Sequence, residues 1–284
     1  MRNRIIILVL FAISLSLFSC GDPLPTEYKP ETIVQALIYV DQPIKGIQVV
    51  KTEAIGTAYK TSKALLTDEM VKISGDGREF NLKADTSNGL YFYCTDSTYL
   101  VKPETVYSIE INLADGTKIT GSTTTPPRTM WLRKPSKEMQ FPKDTVNFPD
   151  RDSISWEGVN NFNFYMLTVR CLDTLNYGKY LTPQTAELNR RMAWREMGDH
   201  YFDEITSIAL IQNNQSSIVW GVFKWYGLQE TSIYVPDYNY LKWFIQYATK
   251  NNYDSNLGTL KGGKGFFGSA SVIRDTSVLL KNQP

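Results

Sequence analysis

Cys20 follows the apolar run 5–18 after a single residue, Ser19, and the run is itself preceded by the basic start Met1-Arg2-Asn3-Arg4. Leu17-Phe18-Ser19-Cys20 resembles the pattern cut by lipoprotein signal peptidase immediately before the cysteine, with Phe18 bulkier than the residue usual two before it. The chemistry needs a thiol there, because a thioether to diacylglycerol forms on it, and a small residue such as Ser19 before the cut. On this reading residues 1–19 are a signal peptide, and Cys20 is the lipid attachment site of an exported bacterial lipoprotein. A transmembrane anchor fits less well, because a span needs about 20 apolar residues and this run is shorter and broken by Ser14 and Ser16. An ordinary secretory signal would favour an A-x-A-like site.

The other chemistry-bearing groups are weaker. Gly263-Lys264-Gly265-Phe266-Phe267-Gly268 fits G-x-G-x-x-G, and residues 258–264 fit all but the last position of a phosphate-binding loop. Gly265 stands where that loop needs Ser or Thr. The dinucleotide fingerprint needs a following helix and a later acidic residue, whereas 266 onward reads as a strand. A tight turn into a packed terminal strand is the better reading, and no cofactor is expected. His200 is the only histidine; with Asp199, Asp203 and Glu204 it forms an acidic group that reads as a solvated loop, so no metal site is expected. No nucleophile triad or carboxylate pair stands out, which argues for a protein that is not an enzyme. Asp96-Ser97-Thr98, Asp144-Thr145-Val146, Asp152-Ser153-Ile154 and Asp173-Thr174-Leu175 resemble bacterial D-[S/T]-apolar O-glycosylation sites, in keeping with export.

The elements that must position these groups are mainly strands. Loss of 1–19 removes Arg2 and Arg4, lowering Lys+Arg from 30 to 28 against 29 Asp+Glu; near neutrality gives no attraction to nucleic acid. Residues 20–30, the lipidated cysteine and three prolines, read as a tether reaching on the order of 30 Å. From 31 to 125 short β runs at 32–40, 46–50, 70–73, 90–94, 106–113 and 118–124 alternate with Asp-Gly turns at 74–77 and 114–116. This predicts an immunoglobulin-like β-sandwich. The five prolines of 126–149 predict a linker, with 130–132 as an edge strand. Residues 150–284 read as a fibronectin type III-like β domain, on the tryptophan strand ending at Trp156 and the run 164–170, with strands at 205–211 and 217–225. Two helices are inserted: one capped by Thr182 with Leu188 and Met192 on one face, ending at Gly198, and one capped by Asp237 with Leu241, Phe244, Ile245 and Ala248. Cys94 and Cys171 could pair in an oxidising compartment or stay buried as free thiols. The 6 Trp, 17 Tyr and 13 Phe favour core packing over an exposed platform.

The chain resembles a Bacteroidota lipoprotein family of unknown function, often encoded beside TonB-dependent outer-membrane transporters. The likeness rests on the Cys20 segment, on Glu31-Thr32-Ile33-Val34-Gln35-Ala36-Leu37-Ile38, on Lys102-Pro103-Glu104-Thr105-Val106-Tyr107, and on the late helix leading to residues 262–271. It implies an outer-membrane, lipid-anchored location on the periplasmic or cell-surface side, and a TonB-dependent transporter as partner. It offers no catalytic residues. A non-catalytic accessory or binding protein is therefore expected, with a carboxylate-dependent surface hydrolase and an adhesin or pilus-like subunit as alternatives.

Overall fold

Alternating burial along the strands matches period-two patterning of apolar residues and produces a mainly β protein. The computed structural model describes residues 28–54, 57, 64–87, 91–143, 153–192, 206–218, 220–248 and 258–281. The N-terminal half contains β1 (Thr32–Tyr39), β2 (Lys45–Lys51), β3 (Met70–Gly75), β4 (Arg78–Asp85), β5 (Tyr91–Cys94), β6 (Val106–Asn112) and β7 (Lys118–Thr124). Then follow β8 (Trp131–Arg133), β9 (Glu138–Gln140), β10 (Ser153–Trp156), β11 (Tyr165–Cys171), β12 (Thr206–Ile211), β13 (Gln215–Ser217) and β14 (Gly227–Pro236). The α-helix α1 (Tyr238–Ala248), β15 (Leu260–Lys261) and β16 (Lys264–Leu280) complete the order.

Most strands join one large sheet, in the order β12-β11-β14-β16-β1-β2-β5-β4-β3-β6-β7-β15, with β9 also on β16. The sheet curls, so that its β7 end returns to β16: the hydroxyls of Thr123 and Ser269 lie 2.8 Å apart. Inside the curl Val34, Ile38, Ile47, Ile73, Tyr107 and Phe267 form the first core. β13-β10-β8 form a small second sheet. A second core gathers Trp156, Tyr165 and Leu167 with Ile233 and Val235, and a third gathers Tyr177, Trp220, Phe223, Tyr226 and Leu279.

The 17-residue β16 links the two halves. Its first part runs parallel to β1, with Val34 opposite Gly265 and Tyr39 opposite Ala270. Its later part runs antiparallel to β14, from Pro236 opposite Ala270 to Gly227 opposite Leu279. Residues 264–270 therefore complete the sheet of the N-terminal half. The stretch 126–143 is woven in as well, through β8 in the small sheet and β9 beside β16.

Two expectations need correction. Residues 182–192 form no helix. Their backbone groups bond elsewhere: Gly178 N donates to Glu187 O at 2.7 Å, Asn189 N to Leu175 O at 2.7 Å, and Met192 N to Lys224 O at 2.9 Å. Leu188, expected on a buried face, is 71% exposed. Nor is 217–225 one strand. β13 ends at Ser217 and a 3-10 turn follows at Trp220–Val222, whose three-residue repeat sends Trp220 and Phe223 into the same core. Cys94 and Cys171 are free and buried.

Candidate functional site

Asp237, expected as a helix cap, is that cap and more. Its Oδ1 accepts from Tyr240 N at 2.8 Å and Ser269 N at 3.0 Å, while its Oδ2 accepts from Thr123 Oγ1 at 2.6 Å. With the Thr123 proton so used, Ser269 Oγ is the donor of the hydroxyl pair, with Thr123 Oγ1 at 2.8 Å and Thr124 O at 3.3 Å as its acceptors. One 5% exposed carboxyl group thus pins α1, β7 and β16 together. Burial pushes its pKa above the ordinary 3.8, outweighing the hydrogen bonds that favour the charged form. Asn239, next in the helix, donates through Nδ2 to Ser122 O and Phe267 O, both at 2.8 Å. Tyr240 and Trp243 stack on Phe266, with ring centroids 5.9 and 5.0 Å away.

Above this junction lies an open cleft of about 730 Å³. It is lined by residues 122–125 at the end of β7, by 237–239, and by the loop 157–162 that follows β10. Glu104 and Arg128 also line it. Arg128 is already engaged: Nε and Nη2 donate to the two oxygens of Asp41, each at 2.6 Å. This hydrogen-bonded guanidinium holds the Asp41 carboxyl below its ordinary range. The side chains of Glu104, Glu157, Asn160 and Asn161 make no hydrogen bond or ion pair among the described residues and are exposed. Glu104 and Asn161 occupy left-handed backbone, with φ of +50° and +67°; asparagine tolerates this region and glutamate seldom does. Aromatic surface comes from half-buried Phe162 and from Tyr238, which is 74% exposed. Among the described residues the cleft is thus rich in acceptors and hydroxyls, carries two unpaired carboxylates, and contains one cation, which is paired with Asp41.

Of the groups singled out in the sequence, Asp237 alone among the described residues lines this cleft. Cys20 lies outside the described residues, as do His200, Asp199, Asp203 and Glu204. Among the described residues no group of three or more His, Cys, Asp or Glu is placed to hold a metal. The glycine-rich motif forms the turn from β15 into β16 and serves packing. Gly265 has φ +105°, and a Cβ there would overlap the Val34 carbonyl of β1. A Cβ on Gly268 would come within 3.0 Å of Asp237 Oδ1 and Tyr240. Of the D-[S/T]-apolar sites, Asp96 accepts from Thr98 N and Oγ1 at 3.1 and 2.6 Å. Asp173 accepts from Leu175 N at 3.0 Å and Asn176 N at 2.9 Å. Both aspartates are therefore committed to local turns. Asp144 and Asp152 lie outside the described residues. Glu104, Glu157, Asn160 and Asn161 were not singled out from sequence; the one local signal is the turn-forming composition of 157–161, and no spacing joins it to 104 or 237.

No protein-family model matches the chain, and no curated protein does. One solved structure, described as "Structural insight into host cell surface retention of a 1.5-MDa bacterial ice-binding adhesin", aligns at 10% identity with a TM-score of 0.21. The alignment covers 89% of this chain and 66% of that one. A likeness at that score carries no argument about function.

Proposed function

We propose that this chain is a lipid-anchored, non-catalytic binding protein of the bacterial envelope, held by Cys20 at the outer membrane, where it serves a TonB-dependent transporter. The single observation that carries the binding role is the open cleft, in which Glu104, Glu157, Asn160 and Asn161 present polar groups that the fold leaves unused. A small set of convergent polar groups in a concave site is the usual mark of ligand recognition. Anchoring rests on the Cys20 segment. Among the described residues no helix is long and apolar enough to cross a membrane. We read the two halves as distant relatives of immunoglobulin-like and fibronectin type III modules, fused through β16.

Crosslinking in intact cells, with the Cys20→Ala form as control, tests this reading. Recovery of one outer-membrane transporter that disappears in the control is the expected result. Recovery of no envelope protein, or Cys20→Ala protein that stays membrane-bound, would overturn it. A second reading, a carboxylate-dependent hydrolase, draws on one observation: Glu104 and Glu157 line the same cleft. Product release that Glu157→Gln abolishes, with the fold intact by circular dichroism, would establish catalysis; a flat activity screen would remove it.

A further inference from the structure

We propose that the cleft takes an uncharged saccharide, bound through vicinal hydroxyls; this rests on the binding role given above and names its ligand class. Charge makes the first cut. Among the described residues Glu104 and Glu157 are unpaired, and Arg128, the one cation that lines the cleft there, is shared with Asp41 in a two-bond ion pair. A phosphate or carboxylate ligand would meet these two carboxylates and would have to compete with Asp41 for the Arg128 guanidinium.

Hydrogen-bonding capacity makes the second cut. A carboxylate accepts through two oxygens and therefore suits a pair of adjacent hydroxyls, while an asparagine amide both donates and accepts. Glu104, Glu157, Asn160 and Asn161 supply those functions. Asn239, with both Nδ2 hydrogens used on Ser122 O and Phe267 O, keeps Oδ1 as a further acceptor. A small organic cation would need only the carboxylates and would leave the amides idle.

Shape and surface make the third. The volume of about 730 Å³ falls within the range of small-ligand sites, about 300–1,000 Å³. Tyr238, at the start of α1, is 74% exposed and lines the cleft, so its ring face is open to a ligand. The C–H face of a pyranose ring packs on such a ring, while its hydroxyl edge turns to the carboxylates and amides. Asp237 fixes Tyr238 in place, because the cap that begins the helix is itself bonded to β7 and β16.

The test uses the full lipidated chain in mild detergent, probed with an array of short neutral oligosaccharides of glucose, xylose, mannose and galactose. Sialyllactose serves as an anionic probe, spermidine as a cationic one, and a peptide library as a third control. Retention of a neutral oligosaccharide is expected. Glu104→Gln, Glu157→Gln and Tyr238→Ala should each weaken it by about tenfold or more, as loss of a charge-assisted hydrogen bond or a ring face implies. All three positions are exposed, so the variants should melt as the parent does. Retention of no neutral oligosaccharide would overturn the assignment, as would preference for spermidine or a peptide, or binding that none of the three variants changes. Transporter crosslinking in the same cells separates the two proposals: crosslinking without saccharide retention sinks only the ligand class, and retention without crosslinking sinks only the transporter role.

Discussion

Asp237 and Asp173 illustrate how two aspartates in one chain acquire opposite relations to pH. Asp237 is buried, and loss of water raises its pKa above 3.8. A carboxyl group that holds its proton more tightly when folded contributes most below 3.8, and that contribution fades as pH rises through the raised value. Asp237→Ala removes a cap and strands Thr123 and Ser269, so it should cost about 1–3 kcal/mol. Asp237→Asn keeps an acceptor for both backbone N–H groups and should cost less. The gap between wild type and Asp237→Asn should be widest near pH 3.5 and narrow towards pH 7, which melting across that range will show. A gap that widens with pH would mean that the folded state prefers the charged carboxylate. Asp173 behaves the other way. The N–H groups of Asn176 and then Leu175 hold its pKa down at about 2. Its contribution is therefore present above 3.8 and is lost as pH falls towards 2. In Asp173→Asn the acid limb of the stability curve between those values should flatten; an unchanged limb would assign that titration to other groups.

At the scale of elements, β16 shows why the glycine-rich motif resembled a nucleotide loop and is not one. Gly265 combines φ of +105° with an approach to Val34 too close for a Cβ, so Gly265→Ala should cost more than about 3 kcal/mol or prevent folding. Gly46 is the internal comparison: φ is +81°, but nothing lies within 4 Å of its absent Cβ, so Gly46→Ala should cost about 1–2 kcal/mol. Denaturant melts of the pair separate strain alone from strain with overlap, and equal losses would remove the role given to Val34. Local chemistry made several elements legible. Asp76 and Gly77 both take positive φ, as an Asp-Gly hairpin requires. Asp237 caps α1, and the terminal strand lies where the run after 266 predicted it. Less legible were β4, whose Phe80 and Leu82 are its buried apolar residues between exposed Arg78, Asn81 and Lys83, and β14, which is buried on both faces and lacks simple alternation. The expected helix beginning at Thr182 failed for a related reason. Cap, proline and spacing are local signals, whereas the backbone partners of 187, 189 and 192 lie on other elements.

At the scale of the whole molecule, the candidate site was not legible at all, because its walls come from 104, 122–128, 157–162 and 237–239 and only the curl of the sheet brings them together. That curl also predicts how the protein unfolds. Two independent sandwiches joined by a linker would melt in two steps, each with its own core. Here β16 carries Phe267, fully buried in the N-terminal core, and Leu279, fully buried in the core of the C-terminal half, on one continuous strand. Losing either end removes the hydrogen-bond partner of β1 or of β14. Phe267→Ala should cost about 3–5 kcal/mol, and that loss should register in both halves. Hydrogen exchange reads it directly, through the amides of β6 for one half and β11 for the other. Both sets should lose protection together in Phe267→Ala, and calorimetry of the parent should show one transition. If β6 loosens while β11 keeps its parental protection, the halves fold independently and β16 is only a covalent link between them. The cleft would then lie between two separately folding bodies, and its walls would owe their positions to the Asp237 junction alone.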